Sequence, residues 1–195
     1  KGITAGTGMD ALAHCIEAFS SPFYHPMAEG TAVEGLRLVK ENIQEVYHNG
    51  SNIEARAHML VASMMGAAAF QKGLGAIHSI THPVNSLYHT HHGTTNGTVM
   101  PFVLNFNRSV IEKKFDRLAK FLNISNGFEG VVNWIIELKK EMKIPETLKE
   151  MGVKIGDEVK LAPLAQEDPS TGGNPLEMSE GKFQELILNC IEGKY

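Results

Sequence analysis

Three observations predict an all-α protein. Apolar residues recur at three- and four-residue spacing along most of the chain. No segment shows the period-two alternation of a half-buried strand, and there is no internal repeat. Pro, Gly and Asn interrupt the pattern at helix-length intervals. In chain order, Thr7-Gly-Met-Asp10 reads as a capping-box-like helix start, followed by the stripe Leu12, Ile16 and Phe19. Ser20-Ser-Pro22 and His25-Pro26 break that helix. A second runs from about Met27 to Tyr47, burying Val33, Leu36, Val39, Ile43 and Val46. Asn49-Gly50 ends it, and Ser51 or Asn52 caps the next. Residues 53–70 form a buried helix rich in Ala and Met, interrupted at Gly73 and Gly75. The helix carrying His78 and His82 meets a kink or early turn at Pro83. Thr94–Asn107 is an apolar segment broken at Pro101. Surface helices follow near 108–122, 128–143, 156–166 and 179–192, and Glu167–Pro175 is the one long polar loop.

Composition bounds the function. A chain of 195 residues is a prior for one domain, and 43% apolar residues supply a core without disulfides. No apolar run reaches the length of a spanning helix, so no membrane partner is expected. The net charge of −4 carries no basic field, which argues against a nucleic-acid partner. Cys15 and Cys190 form no CxxC and fit a reducing, cytoplasmic setting. The opening Lys1-Gly-Ile-Thr, without Met, reads as a piece of a longer chain. Gly6-Thr-Gly8-Met-Asp-Ala11 imitates a dinucleotide fingerprint but lacks the preceding strand that the fingerprint needs.

Charge and histidine are distributed in opposite senses. Ala57–Asn107 contains one formal charge, Lys72, yet five of the nine histidines fall between His78 and His92. Asp10 and His14 are spaced i, i+4, as are His78 and His82, so each pair shares a helix face. One carboxylate with several imidazoles is a nitrogen/oxygen donor set suited to Fe²⁺ or Zn²⁺, without the thiolates of a structural zinc knot. Taken singly, each of these residues is more ordinarily structural: Asp10 as a helix cap, His14 as a packed ring. Five histidines in a segment almost free of other charge shift the balance to a metal site in a dry pocket.

The run from Gly73 through His78, His82 and His92 to Arg108 resembles the long signature of the iron-containing (group III) alcohol dehydrogenases. Gly8–Phe19 resembles the same family's upstream ligand motif, and Gly173-Asn174-Pro175 its C-terminal turn. The resemblance implies a helical C-terminal domain of the dehydroquinate-synthase-like fold spanning residues 1–195. It implies metal ligands at Asp10, His14, His78 and His92, with Fe²⁺ as the ion and Zn²⁺ as the alternative. It implies that His82 is catalytic, moving a proton or orienting the alcohol, and that Phe70, His82 and His92 face the nicotinamide cofactor. NAD or NADP would be held mainly by an N-terminal α/β domain absent from this chain, so this chain alone should turn over little. The implied reaction is alcohol/aldehyde interconversion, with an alkoxide on the metal passing hydride to nicotinamide. A homo-oligomer, most simply a dimer, is implied as well.

Two other classes compete. A metal-dependent hydrolase or lyase on a helical scaffold would use a metal-bound hydroxide or a phosphate cradle. Neither His-Asp nor His-Glu occurs, and Lys72 is the one basic residue near the histidines. A non-catalytic metal-binding or dimerisation module would close its metal off from any cleft.

Overall fold

The computed structural model describes residues 1–195 as eight α-helices with short 3-10 turns and no strand. The helices are α1 (Gly2–Ser20), α2 (Pro26–His48), α3 (Ile53–Ala69), α4 (Ala76–Tyr88), α5 (His92–Phe121), α6 (Gly127–Glu141), α7 (Glu158–Glu167) and α8 (Glu180–Glu192). No single helix is long and apolar enough to cross a membrane. The core is continuous. α1 lies at its centre with Met9, Leu12, Ile16 and Phe19 fully buried, packed against α2, α3 and α5. α6 covers α5, while α4, α7 and α8 form the far flank.

Local chemistry explains the helix boundaries. His25 accepts from the Ala28 amide and Pro26 follows at the first helical position, so the predicted breaker is also the start of α2. Asn52 caps α3 through the Ala55 amide, as expected. Four expectations are corrected. α3 is not the buried helix its Ala- and Met-rich composition predicts: Ala55, Ala62, Gly66 and Ala69 are its buried residues, while Ile53, Leu60 and Met64 are exposed, because it packs one narrow face on α1 and α2. α1 begins at Gly2, so Thr7 and Asp10 lie inside the helix: Thr7 Oγ1 donates to the Ile3 carbonyl, and Asp10 caps nothing. α4 continues through Pro83 to Tyr88, so the early turn does not form there. Pro101 does not break Thr94–Asn107, because one 30-residue helix runs from His92 to Phe121 and absorbs the predicted helix at 108–122. Packing overrides the missing amide, since α5 lies buried against α1 over Thr95–Leu104.

Glycine sets how closely α1 and α5 approach. A Cβ on Gly93 would lie 2.0 Å from the Gly6 carbonyl oxygen and 2.9 Å from Asp10 Cβ. The two backbones therefore meet beside Asp10, which is what carries the start of α5 to the acidic side chain on α1.

Lys72, the one charge in its segment, is buried. Its ammonium donates to the Ala18 and Ser21 carbonyls at 3.1 and 2.8 Å, closing the C-terminus of α1, and pairs with Glu29 at 3.3 Å. It is a structural residue.

Candidate metal centre

Three helices contribute to one cluster. α1 presents Asp10, His14 and Glu17 on one face, since 10, 14 and 17 follow helical spacing. α4 presents His78 and His82, and α5 opens with His92 and carries Asn96 one turn later. One donor atom from each of Asp10, His14 and His78 lies within 4.8 Å of the others. His92 joins from α5, its Nε2 3.3 Å from Asp10 Oδ1, while His78 Nε2 lies 3.8 Å from the same oxygen. His14 Nδ1 is 3.9 Å from Asp10 Oδ2. The rings pack together, with centroids 4.8 Å apart for His14 and His78 and 5.3 Å for His78 and His92.

The outer nitrogens are committed. His78 Nδ1 pairs with Glu17 Oε2 at 2.6 Å, and Glu17 Oε1 accepts the Ile77 amide at 2.7 Å. Buried Glu17 thus orients the ring and also satisfies the first turn of α4. His92 Nδ1 pairs with Asn85 Oδ1 at 3.0 Å. Both rings therefore aim Nε2 at the centre. There Asn96 Nδ2 lies 2.7 Å from Asp10 Oδ1 and 3.2 Å from each of the two Nε2 atoms, while its own buried Oδ1 has no partner. With both rings neutral, two amide hydrogens serve three acceptors, so lone pairs are in excess at this point and draw either a proton or a cation. That surplus is what a cation satisfies. Donors at about 2.0–2.2 Å from one tetrahedral ion stand roughly 3.5 Å apart; Asp10 and His92 are already at that spacing, and the donors of His14 and His78, up to 4.8 Å from their neighbours, reach it by side-chain shifts of up to about an ångström. The residues present fit a divalent ion.

Charge follows the geometry. Burial pushes the Asp10 carboxyl up, but hydrogen bonds from His78 and His92 and the charge of His14 outweigh it and hold the group below the ordinary carboxylate range. Burial pulls His78 down, yet Glu17 and Asp10 prevail and raise it to about 9. A cation bound at Nε2 would take the place of that proton. Burial holds His14 below its usual value despite Asp10.

The other expected site residues lie close by. Phe70, just after α3, packs its ring 5.3 Å from that of His14. His82 stacks on His92 at 5.5 Å and pairs Nδ1 with Asp168 Oδ2 at 2.7 Å. Of the five clustered histidines, two serve as helix termini: His89 ends α4 in a left-handed conformation, and His91 caps α5 by accepting the Thr94 amide. The expected dry pocket is not formed by this chain alone. His78 and Glu17 are buried, but the side chains of His92 and His82 are 38% and 42% exposed. The sequence reading missed Glu17, Asn85, Asn96 and Asp168. Glu17 and Asn96 carried a signal, one helical turn beyond His14 and His92 respectively. Asp168 carried none.

Fold and site together define an all-helical domain that gathers nitrogen and oxygen donors from three helices. The family model described as "Fe-containing alcohol dehydrogenase family, C-terminal" matches residues 4–191, and the chain belongs to that family. It is 36% identical over 195 residues to 4-hydroxybutyrate dehydrogenase of Cupriavidus necator, covering 95% of this chain and 51% of that protein. It is 35% identical over 198 residues to the NAD-dependent methanol dehydrogenase of Bacillus methanolicus, covering 97% and 52%. The crystal structure of a 1,3-propanediol oxidoreductase superposes with a TM-score of 0.91 at 30% identity, covering 96% of this chain and 51% of that one. The chain thus spans about half the length of the relatives it matches.

Proposed function

We propose that residues 1–195 are the metal-holding half of an NAD(P)-dependent alcohol dehydrogenase that interconverts a small alcohol and its aldehyde. The observation that supports it is that Asp10, His14 and His78 bring donor atoms within 4.8 Å of one another, with His92 Nε2 3.3 Å from Asp10 Oδ1. In this reading those four residues hold Fe²⁺, with Zn²⁺ as the competing ion. The ion supplies Lewis-acid polarisation of the substrate oxygen, and a nicotinamide, bound mainly by a separate α/β domain, accepts or returns the hydride. Glu17 and Asn85 fix the His78 and His92 rings. His82 takes the alcohol's hydroxyl proton and returns it in the reverse direction. Phe70, His82 and His92 form the wall toward the nicotinamide. The open face of the cluster is where the cofactor half closes, which restores the dry surroundings this chain lacks. A cytoplasmic homodimer is the assembly this reading carries.

The test is metal stoichiometry together with NAD(P)H-linked turnover of primary alcohols by the full-length protein. Wild type takes up one Fe²⁺ or Zn²⁺ per chain, and His92→Ala loses metal and rate together. Retained metal and a near-normal rate in His92→Ala would remove His92 from the ligand set. Retention in Asp10→Ala and His78→Ala as well would end the reading.

A further inference from the structure

The polar loop at 167–175 is laced to α4. Asn174 Oδ1 accepts the Ala76 amide at 3.2 Å, Thr171 Oγ1 bonds Ser79 Oγ at 2.8 Å, and Asp168 Oδ2 pairs with His82 Nδ1 at 2.7 Å. Positions 76, 79 and 82 are one stripe of α4, and 174, 171 and 168 are three residues apart along the 3-10 turn at Pro169–Gly173. The two segments therefore run antiparallel, with a contact at every third residue. A close approach permits this, since a Cβ on Gly173 would lie 2.1 Å from the Leu74 carbonyl oxygen. Asp168 is anchored from its own side as well, its Oδ1 accepting the Ser170 amide at 2.8 Å.

We propose that Asp168 is a positioning residue for the proton step: it holds His82 as the Nδ1–H tautomer, so that Nε2 faces the substrate as the proton acceptor. The proposal rests on the dehydrogenase reading above and adds to it a residue from the far end of the chain. The chemistry follows from the inventory of groups. An ionised carboxylate only accepts, so Nδ1 must carry the hydrogen, and a neutral imidazole then offers its lone pair at Nε2. The stack on His92 fixes the plane of the ring, and Asp168 fixes its rotation. In the oxidation direction the hydroxyl proton goes to Nε2 while the hydride leaves for NAD(P)⁺, giving aldehyde and NAD(P)H. The reverse direction returns both.

Asp168→Asn separates the two jobs of this side chain. An amide oxygen still caps the turn at Ser170, but its NH₂ donates toward His82 and forces the Nε2–H tautomer. Long-range ¹H–¹⁵N spectra of the Zn²⁺-loaded full-length protein should show His82 as Nδ1–H in wild type and as Nε2–H in Asp168→Asn. Turnover should fall on the order of 10²-fold in kcat with KM within about twofold and metal content unchanged. Thr171→Val, which removes a rung without touching the carboxylate, should lower the unfolding temperature and leave the His82 tautomer as it was. An Nε2–H tautomer in wild type, an unmoved tautomer in Asp168→Asn, or a moved tautomer with an unchanged kcat would each overturn the proposal. If wild type binds no metal and turns over no alcohol, the dehydrogenase reading is lost, and the tautomer spectra still decide whether Asp168 sets the ring.

Discussion

Glu17 shows how a single side chain connects fold to chemistry. Its two oxygens do different things: Oε2 holds the ring of His78, and Oε1 caps the Ile77 amide of the same helix. The donor ring and the helix that carries it are therefore aligned by one buried carboxylate. Glu17→Gln keeps the shape and removes the charge behind the imidazole. Metal affinity should drop about 10–100-fold, read by competition with a chelator of known affinity. An unchanged affinity would mean that the Glu17 contact serves only the helix. Asp10 shows the opposite relation between local pattern and role. By pattern it is a helix-capping acid, but in place it lies inside α1 and receives hydrogen bonds from α5.

Among the elements, α1, α4 and α5 carry the site, and the fit between α1 and α5 decides whether its parts meet. Gly93 opposite Gly6 is the tight point. Gly93→Ala puts a methyl group into backbone, with no flexible side chain to give way. The expected loss is about 1–3 kcal/mol, seen as a thermal midpoint lower by several degrees, with weaker metal uptake as α5 moves away from Asp10. A midpoint and an affinity both equal to wild type would show that the crossing is looser than its geometry. The helices themselves were legible because helical periodicity is local. α2, α3, α6, α7 and α8 were placed close to their observed spans for that reason. The prolines misled in α4 and α5. The cost of a missing amide is a local quantity, whereas the burial that offsets it depends on residues far away in sequence.

For the molecule as a whole, a second buried lysine ties α6 to α5. Lys139 is 2% exposed and donates to the Thr98 carbonyl at 3.0 Å and the Glu146 carbonyl at 3.4 Å. Burial pushes its pKa down to about 8, against about 10.4 in an unfolded chain. Between those values the folded protein has released this proton and the unfolded chain still binds it. Unfolding then takes up a proton, so this group raises stability as the pH climbs from 8 toward 10.4 and costs stability below 8. Relative to Lys139→Met, wild type should gain on the order of 3 kcal/mol across that window in denaturant titrations. A pH-independent difference would mean that Lys139 titrates at its ordinary value.

Residue order alone determined the helical character of this protein, the i, i+4 pairs that give Asp10 and His14 a common face, and the donor chemistry of the histidine-rich segment. These are properties of backbone pitch and side-chain type, and they act within a few residues. Only the tertiary structure decided which residues of that inventory converge. It sent His89 and His91 to helix ends, turned His82 toward a carboxylate 86 positions later, and set Asn96 among Asp10, His78 and His92. The reason is that convergence depends on where helices cross, and here the crossings are set by glycine contacts and core packing between segments far apart in the chain.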